Sequence, residues 1–237
     1  HPITTPVTLT TAPPRLSAMS SPSHSGLRSS RGNQSQLCSM ANSQRLARRW
    51  LSVWASTVPV SAAGESVGKC LMWTDTHGAV HSEKRFGGPI SGYDPVILAT
   101  WMRRSGGVPS HSGADPVSHM LHLLNDQPEI TSQARWFLEP VDFLAMKFTG
   151  KAAASAMSMT AAWLTDNRDL GKLQYDAKLV RLAGVDPDYL PPLQPAASII
   201  GTVLPEIAEL IGIPPTTQVV TSLPDLHISA VAAGAIH

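Results

Sequence analysis

Between residues 94 and 212 one helix-opening device recurs: a capping residue, then proline, then an apolar run with helical spacing, then glycine. In "YDPVILATWMRRSGG" Asp94 is the N-cap, Pro95 holds the first helical position and Gly106 follows the end. "ADPVSHMLHLLND" repeats the device with Asp115 and Pro116. "LEPVDFLAMKFTG" opens at Pro140, places Val141, Leu144, Ala145 and Phe148 on one face and closes near Gly150. "LPEIAELIG" uses Pro205 and Gly212, while "LGKLQYDAKLVRLAG" stacks Leu173, Ala177, Val180 and Ala183 before Gly184. Each such helix has one apolar stripe to bury, so it must lie on a sheet or on another helix.

The runs between the helices read as strands: "GKCLMWTD" at 68–75, "ARWFL" at 134–138 and "TQVVTSL" at 217–223. Strands alternating with helices give an α/β layer architecture, without an internal repeat. Residues 1–48 have a different texture. They are crowded with Ser, Thr, Pro, Arg and Gln, show no period, and are expected to be a disordered or non-native segment. The folded domain is therefore expected over 49–237.

A chain of 237 residues is long enough to bury a core of enzyme size. Charged residues are 15% of the chain and the formal net charge is +1, so no charge excess points to nucleic acid or an anionic membrane surface. Cys38 and Cys70 form neither a disulfide framework nor a CxxC pair. There is no apolar run of membrane-spanning length and no signal-peptide pattern at the N-terminus, which leads to the expectation of a soluble, cytoplasmic protein.

Two stretches invite a chemical reading. In "LMWTDTHG" an apolar strand ends in Trp73, Asp75 and His77, where ligand-facing side chains of α/β proteins collect. An indole face can pack on a sugar ring while a carboxylate accepts its hydroxyls. The plain alternative is an exposed turn with Asp75 as a local cap. Asp225 follows a buried-looking strand and precedes the small-residue run "ISAVAAGAI"; it is either a proton acceptor for a substrate hydroxyl or the cap of the next helix. His119 and His122 share a helix face near Asp115, but two imidazoles without a third spaced ligand make a poor metal signal, and no metal site is expected. GxxxxGK[ST], GxGxxG after a strand, and GxSxG are not found.

The series "GKCLMWTDTHG", "EITSQARWFLEPVDFLAMKFTGKAAASAMSMTAAWLTD" and "LPEIAELIGIPPTTQVVTSLPDLHISAVAAGAI" resembles the first domain of the FGGY carbohydrate kinases, most closely the xylulose kinases. The resemblance runs from about residue 50 to 237. It implies an actin-like, ribonuclease H-like fold and phosphorylation of a sugar hydroxyl, that of a ketopentose such as xylulose. ATP and Mg would be held between two domains. It puts Asp225 at the general-base position and aligns Trp73 and Asp75 with the "W-x-D" of the sugar site. His77 stands where the family usually has Arg, and Trp54 falls near a sugar-contacting segment.

The resemblance also exposes departures. Ala55 stands at the family's apparent histidine position, "TSLPD" replaces a glycine-rich approach to the base, and "HMLHLL" replaces a "K-L-x-W" feature. An "Asp-x-Gly-Thr-Thr" type phosphate loop is not found in residues 1–50, and the ATP-binding second domain would begin after residue 237. The expectation is a truncated chain that binds sugar but does not turn over ATP alone. The alternative is a non-catalytic remnant that binds a sugar or a partner, with self-association through uncovered sheet edges.

Overall fold

The structure, a computed structural model, describes residues 55–172 and 174–235. Eight helices follow in chain order among these residues: α1 Ala79–Phe86, α2 Pro95–Arg104, α3 Pro116–Asp126, α4 Pro128–Thr131, α5 Pro140–Thr149, α6 Ala177–Ala183, α7 Pro205–Ile211 and α8 Asp225–Ala232. The strands are β1 Val58–Val60, β2 Gly87–Gly88, β3 Gly92–Tyr93, β4 Trp136–Leu138, β5 Ala154–Ser155, β6 Leu193–Gln194, β7 Ile199–Thr202 and β8 Gln218–Val220. They pair two by two: β1 with β4, β2 with β3 and β7 with β8 antiparallel, β5 with β6 parallel.

The proline-opened helices start where their caps demand. The Asp94 carboxylate accepts from the amides of Val96 and Ile97, and that of Asp115 from the amide of Ser118. The glycines that end α5, α6 and α7 are left-handed, at φ 69°, 70° and 70°. One helix is shorter than its apolar period suggests: α6 begins at Ala177 because Asp176 caps the amides of Lys178 and Leu179, and a short 3-10 turn occupies 170–172.

Three further expectations are corrected. Within 68–75 only Leu71 pairs, through a bridge to Thr57 with N···O distances of 2.8 and 2.9 Å. Gly68 packs tightly on Pro59 and Ile130, and the chain turns away at Trp73, leaving an irregular edge along β1. The buried face of α5 carries Asp142, Ala145, Met146 and Thr149, whereas Leu144 is exposed. Serine hydroxyls and an amide satisfy Asp142 inside, and Met146 fills the space beside Val58, Val60 and Leu138, which rotates the helix from the face that hydropathy alone selects. β8 is half-buried to exposed, with Val219 packed on Ala145, Ala153 and Ile200 and Val220 39% exposed, because this short strand is one arm of a two-stranded ribbon.

The principal core joins α1, α2, α3 and α6. Trp101 and Phe86, both fully buried, meet edge to face at 5.2 Å, and the Trp101 indole N–H donates to the Trp163 carbonyl at 2.8 Å. α1 and α3 cross closely: a Cβ on Gly78 would lie 2.1 Å from the Ser118 carbonyl oxygen, and the hydroxyls of Ser82 and Ser118 stand 2.7 Å apart. Small residues at this crossing bring the turn before α1 against the first turn of α3.

Candidate functional site

That turn, residues 72–78, carries Trp73, Asp75 and His77. The Asp75 amide closes it on the Met72 carbonyl at 2.7 Å. Trp73 donates its amide to the Ser56 hydroxyl at 3.2 Å, and Ser56 donates its own amide to the Glu139 carboxyl at 3.1 Å. The indole is left 58% exposed, a flat apolar face open to solvent. Asp75 Oδ1 accepts from the His77 amide at 3.0 Å and stands 2.8 Å from the His77 ring nitrogen Nδ1. Partial burial pulls the Asp75 carboxyl upward, but the His77 hydrogen bonds prevail and hold it below the usual carboxylate range.

The turn is pinned from below by α3. His119 is fully buried, and its Nε2 lies 3.3 Å from the Asp75 carbonyl oxygen, which can only accept. Nε2 therefore carries the hydrogen, and Nδ1 accepts from the Thr57 hydroxyl at 3.3 Å. Burial pushes the His119 pKa down to about 4, so the ring is neutral near pH 7. One turn further on, the ring of His122 stacks on that of His77 at 5.2 Å.

His119 and His122 are both buried on α3, and each has its own partners. Asp115 caps its helix and takes the Ser110 amide and the Ser118 hydroxyl, and His119 serves the turn. His122 instead faces Asp126 on its own helix and shares that carboxylate with His81 of α1, both ring nitrogens lying 2.7 Å from Oδ2. Hydrogen bonds from His81 and then His122 hold the Asp126 carboxyl below its ordinary range.

Asp225 is the first residue of α8, exposed, with Oδ1 accepting from the Leu226 amide at 2.7 Å. The segment before it is anchored at Ser222, whose hydroxyl donates to Asp142 at 2.9 Å. Asp142 also receives the Ser158 hydroxyl at 2.5 Å, yet burial still pushes its pKa up to about 6. Trp54 lies outside the described residues, and its neighbour Ala55 is held at a left-handed φ of 61°. Trp73, Asp75 and His77 are thus gathered in one turn, while Asp225 stands on a separate helix. An open groove of about 450 Å³ lined by Arg135, Trp136, Tyr175 and Asp188, among others, includes none of the four.

Pattern reading missed the supports. His119, Glu139, Asp142 and Ser222 hold the candidate residues in place without any motif of their own; the face spacing of α3 turns His119 inward, while Glu139, Asp142 and Ser222 carry no such signal.

A family model describing the N-terminal domain of the FGGY family of carbohydrate kinases matches residues 55–232. The chain belongs to this family. It is 27% identical over 192 residues to a gluconokinase of Bacillus licheniformis, covering 78% of this chain and 34% of that protein. Among solved structures it superposes on a gluconate kinase from Lactobacillus acidophilus with a TM-score of 0.64 at 18% identity, covering 79% of this chain and 36% of that one. A ligand-bound xylulose kinase from the same organism gives 0.63 at 17% identity, with 84% and 40% covered. The architecture of this FGGY chain is accordingly an α/β, actin-like fold in part, and the chain spans about a third of the length of the curated relatives it matches. Among the described residues no helix is long and apolar enough to cross a membrane.

Proposed function

We propose that this chain is the sugar-binding part of an ATP-dependent carbohydrate kinase whose acceptor is a ketopentose such as xylulose. The observation that carries the proposal is one turn presenting an exposed indole, Trp73, two residues from a carboxylate, Asp75, with the His77 ring bonded to it. The indole face packs on C–H groups of the sugar, and Asp75 accepts its hydroxyls. His77 replaces the permanent donor fork of an arginine with a ring that donates fewer hydrogens. Asp225 is the group assigned to take the proton of the reacting hydroxyl.

ATP and Mg enter this reading from the family alone. At Asp225 a single exposed carboxylate already accepts its neighbour's amide, and its hydrogen bonding brings no basic side chain beside it. A triphosphate with its cation demands several donors and counter-charges. The described residues at this position do not fit that demand, and they act on the sugar side only.

Calorimetric titration with xylulose, ribulose, gluconate and glycerol tests the reading. Xylulose should bind saturably, and Asp75→Ala should weaken it by about 10- to 100-fold, the worth of hydrogen bonds to a charged acceptor. Heat from gluconate but not xylulose would move the acceptor to a sugar acid. No heat from any of the four would leave a non-catalytic remnant. With ATP and Mg added, no sugar-dependent ADP release is expected; release abolished by Asp225→Asn would overturn that expectation while supporting the base.

A further inference from the structure

We propose that His81, His122 and Asp126 form a site for one borderline divalent cation of the zinc class, tying α1 to α3 beside the Asp75 turn. The inference does not depend on the kinase reading. Three potential ligand atoms, His81 Nε2, His122 Nδ1 and an Asp126 carboxylate oxygen, lie within 4.8 Å of one another. They come from both helices: His122 and Asp126 are one turn apart on α3, and His81 reaches across from α1. Two imidazoles and one carboxylate are a donor set that suits Zn²⁺ and its neighbours rather than Mg²⁺ or Ca²⁺, which favour oxygen.

An ion requires adjustment of all three groups, whose potential ligand atoms lie within 4.8 Å of one another. Tetrahedral zinc with bonds of about 2.0–2.1 Å separates its ligand atoms by about 3.4 Å. Asp126 Oδ2 now sits 2.7 Å from each ring nitrogen, so it must withdraw by about 0.7 Å to admit an ion at that bond length. Asp126 ends α3 and its side chain is 44% exposed, so it is the most mobile of the three groups. The two rings are held more firmly, with side chains 18% and 11% exposed for His81 and His122. Three protein ligands leave a fourth position for water.

The outer contact of His122 serves both states. Its Nε2 lies 2.9 Å from the Gln127 side-chain amide. When Nδ1 carries the hydrogen and donates to Asp126, Nε2 accepts from the Gln127 NH₂. When Nδ1 ligates a cation, the hydrogen moves to Nε2 and donates to the Gln127 carbonyl oxygen after an amide flip. Gln127 is thus the kind of outer partner that fixes a metal-ligating histidine. The bound ion would also fix the ring on which His77 stacks, linking the site mechanically to the turn that carries Asp75.

The test uses the full 237-residue chain, stripped with chelator and titrated with Zn²⁺ by calorimetry and with Co²⁺ by visible absorption. One saturable equivalent with tetrahedral-type Co²⁺ bands is expected. Both His81→Gln and Asp126→Asn should lower the affinity of that equivalent by at least about tenfold. The chain has nine histidines, so binding that survives these substitutions belongs to other groups. Asp126 is exposed at a helix end, and its asparagine variant therefore retains the fold even if the His81 variant does not. Absence of a saturable equivalent, or its retention in either folded variant, overturns the proposal.

Discussion

His119 donates its Nε2 hydrogen to the main-chain carbonyl of Asp75 across 3.3 Å, so a helix in the core sets the height of a surface turn. In the neutral ring the bond requires the tautomer with its hydrogen on Nε2, and the ring's burial keeps it neutral.

The depressed pKa of His119, about 4 against an ordinary 6.5, gives a signed pH dependence. Its contribution to stability is fully present above pH 6.5 and is lost as pH falls through about 4. His119→Gln keeps a donor but does not titrate. The stability advantage of the wild type over this variant should shrink by up to about 3 kcal/mol between pH 7 and pH 4, measured by urea denaturation. A gap that stays constant across that range would show that the ring does not become charged on unfolding.

Asp142 works in the opposite direction. Burial raises its pKa to about 6 from 3.8, so its contribution is present below 3.8 and is lost as pH rises through 6. Asp142→Asn removes the charge and retains an acceptor oxygen for the Ser155 amide and the Ser222 hydroxyl, while its NH₂ replaces the oxygen that takes the Ser158 hydroxyl. Relative to wild type, the variant should gain up to about 3 kcal/mol between pH 4 and pH 7. Comparing the two in denaturant at each pH checks the sign, and a relative loss on raising the pH would contradict it.

Trp101→Ala removes the largest fully buried side chain and its hydrogen bond to the Trp163 carbonyl. The expected cost is about 3–5 kcal/mol, from the lost apolar burial and the cavity left behind. Exposed Trp73, replaced by alanine as a control, should cost less than about 0.5 kcal/mol in the same unfolding assay.

The helices were legible because their start and stop signals are local. Asp94 and Asp115 each accept amides from the first turn that follows them, and Gly150 and Gly212 end their helices left-handed, whereas the cap at Asp176 starts α6 later than its apolar period suggests. The strands were less so. Leu71 pairs alone because pairing depends on a partner distant in sequence, here Thr57, and on the tight packing at Gly68. The α5 face was misplaced for a related reason: a carboxylate looks like a surface residue until Ser158 and Ser222 arrive from elsewhere in the chain to satisfy it.

In the candidate site, Trp73, Asp75 and His77 were visible as neighbours in one short stretch. The grouping of His81 with His122 and Asp126 was not, because 41 and 45 positions separate His81 from its two partners. Only the crossing of α1 and α3 brings them together.

That crossing has no spare room at Gly78, where even a methyl group would meet the Ser118 carbonyl oxygen. Gly78→Ala would therefore act as a wedge, prying α1 from α3 and displacing His77 and His81 together without removing a single donor or acceptor. The sugar-facing turn and the histidine cluster share one fulcrum, and it is the residue in the stretch that has no side chain at all.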